Sequence, residues 1–163
     1  MSPLSPDSRS VESRLAALGL ELPTPPRPAG SYAACVADGN TLYLAGTVSP
    51  DIHDFPCRGT VGRQVTTEQA YQCARGAVLN HLAVLRDYLG SFARIRQFVK
   101  LVGFVNAVEG FTEQPQVVNG ASDLLGELFG DRGTHARSAV GVASLPFDAP
   151  VELEMIVAVH PAS

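Results

Sequence analysis

Residues 135–154 read HARSAVGVASLPFDAPVELE, and the folding of this stretch decides how the rest of the chain is arranged. Residues 138–144 and 151–159 are runs of small and apolar side chains, and each predicts a strand. The LPFDAP between them holds two prolines and an aspartate, which predicts a turn joining the two strands as a hairpin. Arg137 stands just before the first run, and Glu152 and Glu154 lie in the second. One reading pairs Arg137 with Glu152 or Glu154 across the hairpin as an ordinary ion pair. The other uses the room left by Ala139 and Gly141: the arginine grips a carboxylate ligand through a two-pronged charged hydrogen bond, and a glutamate moves protons beside it. The residues alone leave both open.

Outward from this stretch the pattern is mixed. In the last strand Val151, Leu153, Met155 and Val157 share one face, which period-2 alternation assigns to the core. Glu152, Glu154, Ile156 and Ala158 share the other face, which is too apolar beyond Glu154 to be simply solvated. That predicts burial against another subunit. Residues 114–129 return to helical spacing through Val117, Ala121, Leu124 and Leu128, and FVKLVGFVNA (98–107) predicts a buried strand. A long helix is expected over 66–89, capped by Thr66 or Thr67, with Tyr71, Ala74, Val78, Leu82, Leu85 and Leu89 on one stripe. YAACVADGNTLYLAGTVSP (32–50) predicts a hairpin around Asp38-Gly39-Asn40. Before it come a short helix capped by Asp7 or Ser8 and a connector, ELPTPPRPAG, with four prolines. The expected order is β-β-α-β-α-β-β after that helix: an α+β fold with two helices on one sheet face. Residues 1–29 form the N-terminal helix and connector, and 30–163 the main domain.

Composition narrows the function. Among 163 residues, 45% are hydrophobic and 17% charged, as in one folded domain. Net charge is −4 and Lys100 is the only lysine, so no basic track favours nucleic acid. Arg132 and Arg137 flanking His135 suit a small anion. No apolar run is long enough to span a membrane, and the start lacks signal-peptide character, so a cytoplasmic location is the expectation. Cys35, Cys57 and Cys73 have no CxxC spacing and read as reduced, buried thiols. The sequence has no nucleotide-binding GxGxxG or GxxxxGK[ST], no GxSxG and no HExxH. His53, His81, His135 and His160 have no ligand spacing. No metal or cofactor is expected. His81 reads as a core-edge residue, and Asp123 and Glu127 as a solvated helix face.

RSAVGVASLPFDAPVELE resembles the C-terminal signature of the reactive intermediate deaminase family (RidA, YjgF, or endoribonuclease L-PSP): an arginine, a β run, Leu-Pro, then Glu-hydrophobic-Glu. GSYAACVADGNTLYLAGTVSP and the Val-Asn of VVNGASDLLGELFG are similar to two further blocks of that family, in the right order, so the resemblance spans about residues 30–160. It implies a chorismate-mutase-like fold and a homotrimer whose sheets form a central barrel with clefts between subunits. It also implies hydrolysis of 2-imino or enamine acids, the unstable products of pyridoxal-phosphate enzymes, to 2-oxo acids and ammonia. By position, Arg137 would bind the substrate carboxylate with the Ala139 N–H. Glu152 would position or deprotonate water, and Tyr32, Gly46 and Asn119 would line the cleft. Ala45 and Thr47 depart from the family's usual Ser and Gln, a cysteine common near Ala139 is missing, and about four extra residues around Pro115 precede Asn119. A carboxylate-binding sensor without catalysis is the alternative. The family's ribonuclease label fits poorly with the negative charge.

Overall fold

A computed structural model of the chain describes residues 10–51 and 55–161. Helix α1 (Val11–Ala17) is capped by Ser10, whose side chain accepts from the Ser13 N–H; the expected caps Asp7 and Ser8 lie outside the described residues. Val11 and Leu15 bury into the same core as the rest of the chain. Strands β1 (Cys35–Asp38) and β2 (Thr41–Val48) form the expected hairpin, and Gly39 takes φ +55° in its two-residue loop. A left-handed residue fits the twist of a tight hairpin, and glycine adopts it without steric cost.

Helix α2 (Thr67–Leu89) starts at a capping box, in which Thr66 and Gln69 each bond the other's backbone N–H. Its stripe of Ala74, Val78, Leu82, Leu85 and Leu89 is buried, while Tyr71 is only partly buried. Strand β3 (Ile95–Asn106), helix α3 (Gln114–Phe129), strand β4 (Ala136–Val142) and strand β5 (Val151–Val159) complete the order expected from sequence. Helices α2 and α3 lie over one face of the sheet, where Val151, Leu153, Met155 and Val157 are at most 2% exposed. Asp123 and Glu127 are not simply solvated: Tyr71 donates to Asp123 at 2.9 Å, and Arg75 forks onto Glu127, so these residues clamp α3 to α2.

The strand order is β1-β2-β5-β3-β4, and this corrects the reading of residues 135–154. β4 and β5 are not a hairpin. β3 lies between them, antiparallel to β5 and parallel to β4. LPFDAP, with a short 3-10 turn at Pro146–Asp148, therefore carries the chain past one whole strand. The cross-hairpin ion pair from Arg137 to Glu152 or Glu154 does not form. On the sheet face away from the helices, register groups Val36, Tyr43, Ile156 and Lys100 in one row, and Glu152, Phe104 and Val140 in another. Val102, Glu154 and Ser138 form the row between them, so the charged Lys100, Glu152 and Glu154 punctuate this face. Tyr43, Val36 and Val140 are about half exposed, and its apolar side chains are uncovered within the chain.

The cysteines also depart from expectation. Cys57 and Cys73 are joined as a disulfide with 5.8 Å between Cα atoms, and Cys35 is the free thiol. Spacing in sequence gave no sign of it, because one partner sits in an irregular loop and the other on the buried side of α2. Among the described residues no helix is long and apolar enough to cross a membrane.

Candidate functional site

The residues singled out from sequence fall into two groups on opposite sides of the sheet. Tyr32, Gly46 and Glu152 line one cleft of about 510 Å³. Arg137 and Asn119 meet elsewhere, with Ala139 two residues along the same strand.

The first cleft begins with an irregularity. Pairing between β2 and β5 shifts between Leu44 and Thr47, so Ala45 and Gly46 are released from the regular ladder. Helix α2 holds this bulge from below. His81 Nε2–H donates to the Ala45 carbonyl at 3.0 Å, and Asn80 Nδ2 donates to the Val48 carbonyl at 2.8 Å. Because a carbonyl only accepts, His81 carries its proton on Nε2, and Nδ1 is a buried lone pair without a partner. Burial lowers the His81 pKa to about 4, so the ring is neutral at ordinary pH. His81 is thus fully buried, deeper than the core-edge position expected, and it supports the cleft floor.

Above the bulge, Gly46 makes room for the Glu152 carboxylate. A Cβ at position 46 would stand 2.0 Å from Glu152 Oε1 and 3.0 Å from its Cδ. Burial, and then the charge of Glu154, push the Glu152 pKa above the usual carboxylate value. Such a carboxylate is a stronger base than one in water. Tyr32 is half exposed at the rim and its hydroxyl accepts the Ala29 N–H at 3.2 Å, tying the proline-rich connector to the cleft mouth. Pro26, Arg27, Pro28 and Phe147 continue the wall, and sequence reasoning had picked none of them.

The second group is built between β4 and α3. Arg137 Nη1 donates to Asn119 Oδ1 at 2.8 Å and to Ser122 Oγ at 3.0 Å, and Nη2 donates to the Pro115 carbonyl at 3.4 Å. Three of its five N–H donors are thereby occupied, leaving two for an anion. His135 extends this arrangement. Its Nδ1–H donates to the Gly133 carbonyl at 2.6 Å, so Nε2 accepts from the Ser122 hydroxyl at 3.0 Å. Burial lowers the His135 pKa and the Arg137 charge lowers it further, against the Gly133 bond. The neutral tautomer orients Ser122 to receive Arg137. Ser122 could not be picked from sequence, since nothing but the helix packing brings it under β4. Arg132 does not join: it donates to the Ile95 carbonyl and stacks over Phe129.

The two groups cannot serve one small molecule within a chain. Through β3, Arg137 is level with Met155, three residues beyond Glu152, and two strand spacings away. With strands about 4.8 Å apart and about 3.3 Å per residue, their Cα atoms are on the order of 14 Å apart, with side chains on opposite sheet faces. Among the described residues no cluster of His, Cys, Asp and Glu fits a metal ion.

The family model described as "YjgF/chorismate_mutase-like, putative endoribonuclease" matches residues 12–157. The chain is similar to protein TCP17 of Trypanosoma cruzi, 38% identical over 92% of this chain and 94% of the relative. It is also similar to a 2-iminobutanoate/2-iminopropanoate deaminase of Dermatophagoides farinae, 31% identical over 86% of this chain and 95% of that one. A crystal structure from Shewanella oneidensis with the same endoribonuclease description superimposes with a TM-score of 0.87 at 32% identity, covering 93% of this chain and 100% of the other. With a match across most of its length in sequence and in fold, the chain belongs to the YjgF/chorismate-mutase-like family, the RidA family that residues 30–160 resemble.

Proposed function

We propose that the chain hydrolyses 2-imino acids and their enamine tautomers to 2-oxo acids and ammonia, in clefts that two copies of the chain complete. One observation carries this reading. Arg137 and Glu152 each stand in a preformed half-site with spare bonding capacity, yet lie on opposite faces of one sheet. A half-site for a carboxylate and a half-site for a proton acceptor make chemical sense only when another copy brings them together. The apolar sheet face around Val36, Tyr43, Phe104 and Val140 supports closure of three copies into a barrel. The 31% identity to a 2-iminobutanoate deaminase supports the substrate class.

In this reading Arg137, with the Ala139 N–H, fixes the carboxylate of the 2-imino acid, and Asn119 and Ser122 fix Arg137. Glu152 of a neighbouring copy accepts a proton from water as the water oxygen adds to the imine carbon. Glu152 returns that proton to nitrogen, giving the carbinolamine. It then takes the hydroxyl proton and passes it to nitrogen as the C–N bond breaks, so ammonia leaves and the oxygen remains as the 2-oxo group. One water is consumed and Glu152 ends as it began. An imine is already electrophilic, so positioning and proton transfer suffice without a cofactor. We place this reaction in the cytoplasm, near the enzymes that release imines. That makes the Cys57–Cys73 bond a point to measure, because reducing compartments oppose disulfides.

The test is a coupled assay in which a pyridoxal-phosphate dehydratase generates 2-iminobutanoate and formation of 2-oxobutanoate is followed. The wild type should accelerate it, and Glu152→Gln should lose about 10²–10⁴ of that acceleration. Arg137→Ala should lose binding of 2-oxobutanoate by calorimetry. No acceleration over spontaneous hydrolysis, with binding intact, would favour a carboxylate sensor instead.

A further inference from the structure

The turn at Pro146–Asp148 holds a feature that hydrolysis of a small imine does not need. Phe147 is 69% exposed, and it lines the Glu152 cleft beside Pro146. Its backbone is left-handed at φ 60°, and so is that of Asp148 at φ 56°. These two are the only non-glycine residues among those described with positive φ. Side chains with a Cβ resist this conformation. The surrounding bonds over-determine the turn: Gly59 N–H donates to the Asp148 carbonyl at 2.7 Å, Ala149 N–H to that of Pro146, and Asn106 Nδ2 to that of Ala149. A large apolar side chain is thus kept at the surface, on a rigid turn, in a cleft that also holds the proposed base.

The cleft itself is larger than its smallest substrates require. Its 510 Å³ falls within the range of about 300–1,000 Å³ that encloses drug-sized ligands. Pro26, Pro28 and Val84 line the same cleft with apolar surface. A four-carbon imino acid held at Glu152 would leave that surface facing water.

We propose that Phe147 is a specificity-determining residue, and that it makes the cleft select acids with a large apolar or aromatic side chain. The inference rests on the reading of the cleft as the site for 2-imino and 2-oxo acids. The side chain would pack against the Phe147 ring and the proline wall while its C2 carbon stays near Glu152. Offset stacking of two aromatic groups adds to simple burial, which favours aromatic over branched chains.

The test compares imines released by an amino-acid oxidase from phenylalanine, leucine and 2-aminobutanoate, using wild type, Phe147→Asn and Phe147→Leu. Asparagine tolerates the left-handed backbone, so Phe147→Asn keeps the turn and removes the ring. Wild type should give a higher kcat/KM on the phenylalanine-derived imine than on 2-iminobutanoate. Phe147→Asn should lower the first by 10-fold or more and leave the second within about 2-fold, with Phe147→Leu between. Calorimetry with 3-phenyl-2-oxopropanoate and 2-oxobutanoate reads the same selectivity without turnover. If no imine is hydrolysed but the phenyl acid binds better in a Phe147-dependent way, the deaminase reading falls and the selectivity stands. Equal loss on every substrate, or a lowered oligomer mass in Phe147→Asn, would overturn the proposal and make Phe147 a turn or subunit-contact residue.

Discussion

Replacing Gly46 by alanine should silence the proposed chemistry while leaving the fold intact. An added Cβ would stand 2.0 Å from Glu152 Oε1, where ordinary contact begins at about 3.4 Å. The carboxylate must therefore retreat by about 1.4 Å. Displacing a catalytic group by about 1 Å costs on the order of 10²-fold in rate, so Gly46→Ala should lower turnover of 2-iminobutanoate by at least that factor. The fold should feel little of it. Gly46 does not have a positive φ, and the atom it meets is the free end of a half-buried side chain. Unfolding free energy should change by no more than about 1 kcal/mol. The coupled assay reads the first quantity and urea denaturation the second. Binding of 2-oxobutanoate should persist, because Arg137 is untouched. Full turnover in Gly46→Ala would refute the placement of Glu152 as the base, since its carboxylate cannot stay where it is.

Three further outcomes follow from the same geometry. As the proposed base Glu152 must be deprotonated, and burial together with Glu154 raises its pKa, so kcat should fall on the acid side through a limb above pH 4.5; Glu154→Gln should shift that limb downward. His81 is neutral in the fold with a pKa near 4 against 6.5 when unfolded, so its contribution is complete above about pH 6.5 and is lost as pH falls toward 4; this amounts to about 3 kcal/mol, and His81→Gln should flatten that part of a stability-versus-pH curve. The Cys57–Cys73 bond closes a loop of 16 residues in separation, so its reduction should cost up to about 3 kcal/mol, measured by denaturation with and without a reductant. No change in stability on reduction would show the pair to be thiols.

Much of the fold was legible because its helices and hairpin are written in local patterns. Thr66 announces α2, its apolar stripe fixes the buried side, and Gly39 marks the hairpin. Alternation in β5 correctly assigned Val151, Leu153, Met155 and Val157 to the helix side. What alternation cannot give is a strand's neighbours. It fixes faces, so β4 and β5 read as a hairpin although β3 separates them. The same limit hid the site's division: Arg137 and Glu152 are close in sequence pattern and far apart in the sheet. Ser122 and His135 support Arg137 through packing of α3 under β4, which leaves no periodic trace. Phe147 was missed because a left-handed turn is announced by glycine or asparagine, and here a phenylalanine occupies it.

Complementation between inactive variants tests the divided site most directly. Arg137→Ala and Glu152→Gln each remove one half-site and leave the other whole. Each variant alone should be inactive toward 2-iminobutanoate. When the two are co-expressed in equal amounts and assemble at random, about one cleft in four should receive an intact Arg137 from one chain and an intact Glu152 from another. Activity should then return to about a quarter of the wild-type value. If the mixture stays as inactive as either variant while wild type and variant chains demonstrably co-assemble, the two residues do not serve one reaction across a subunit boundary.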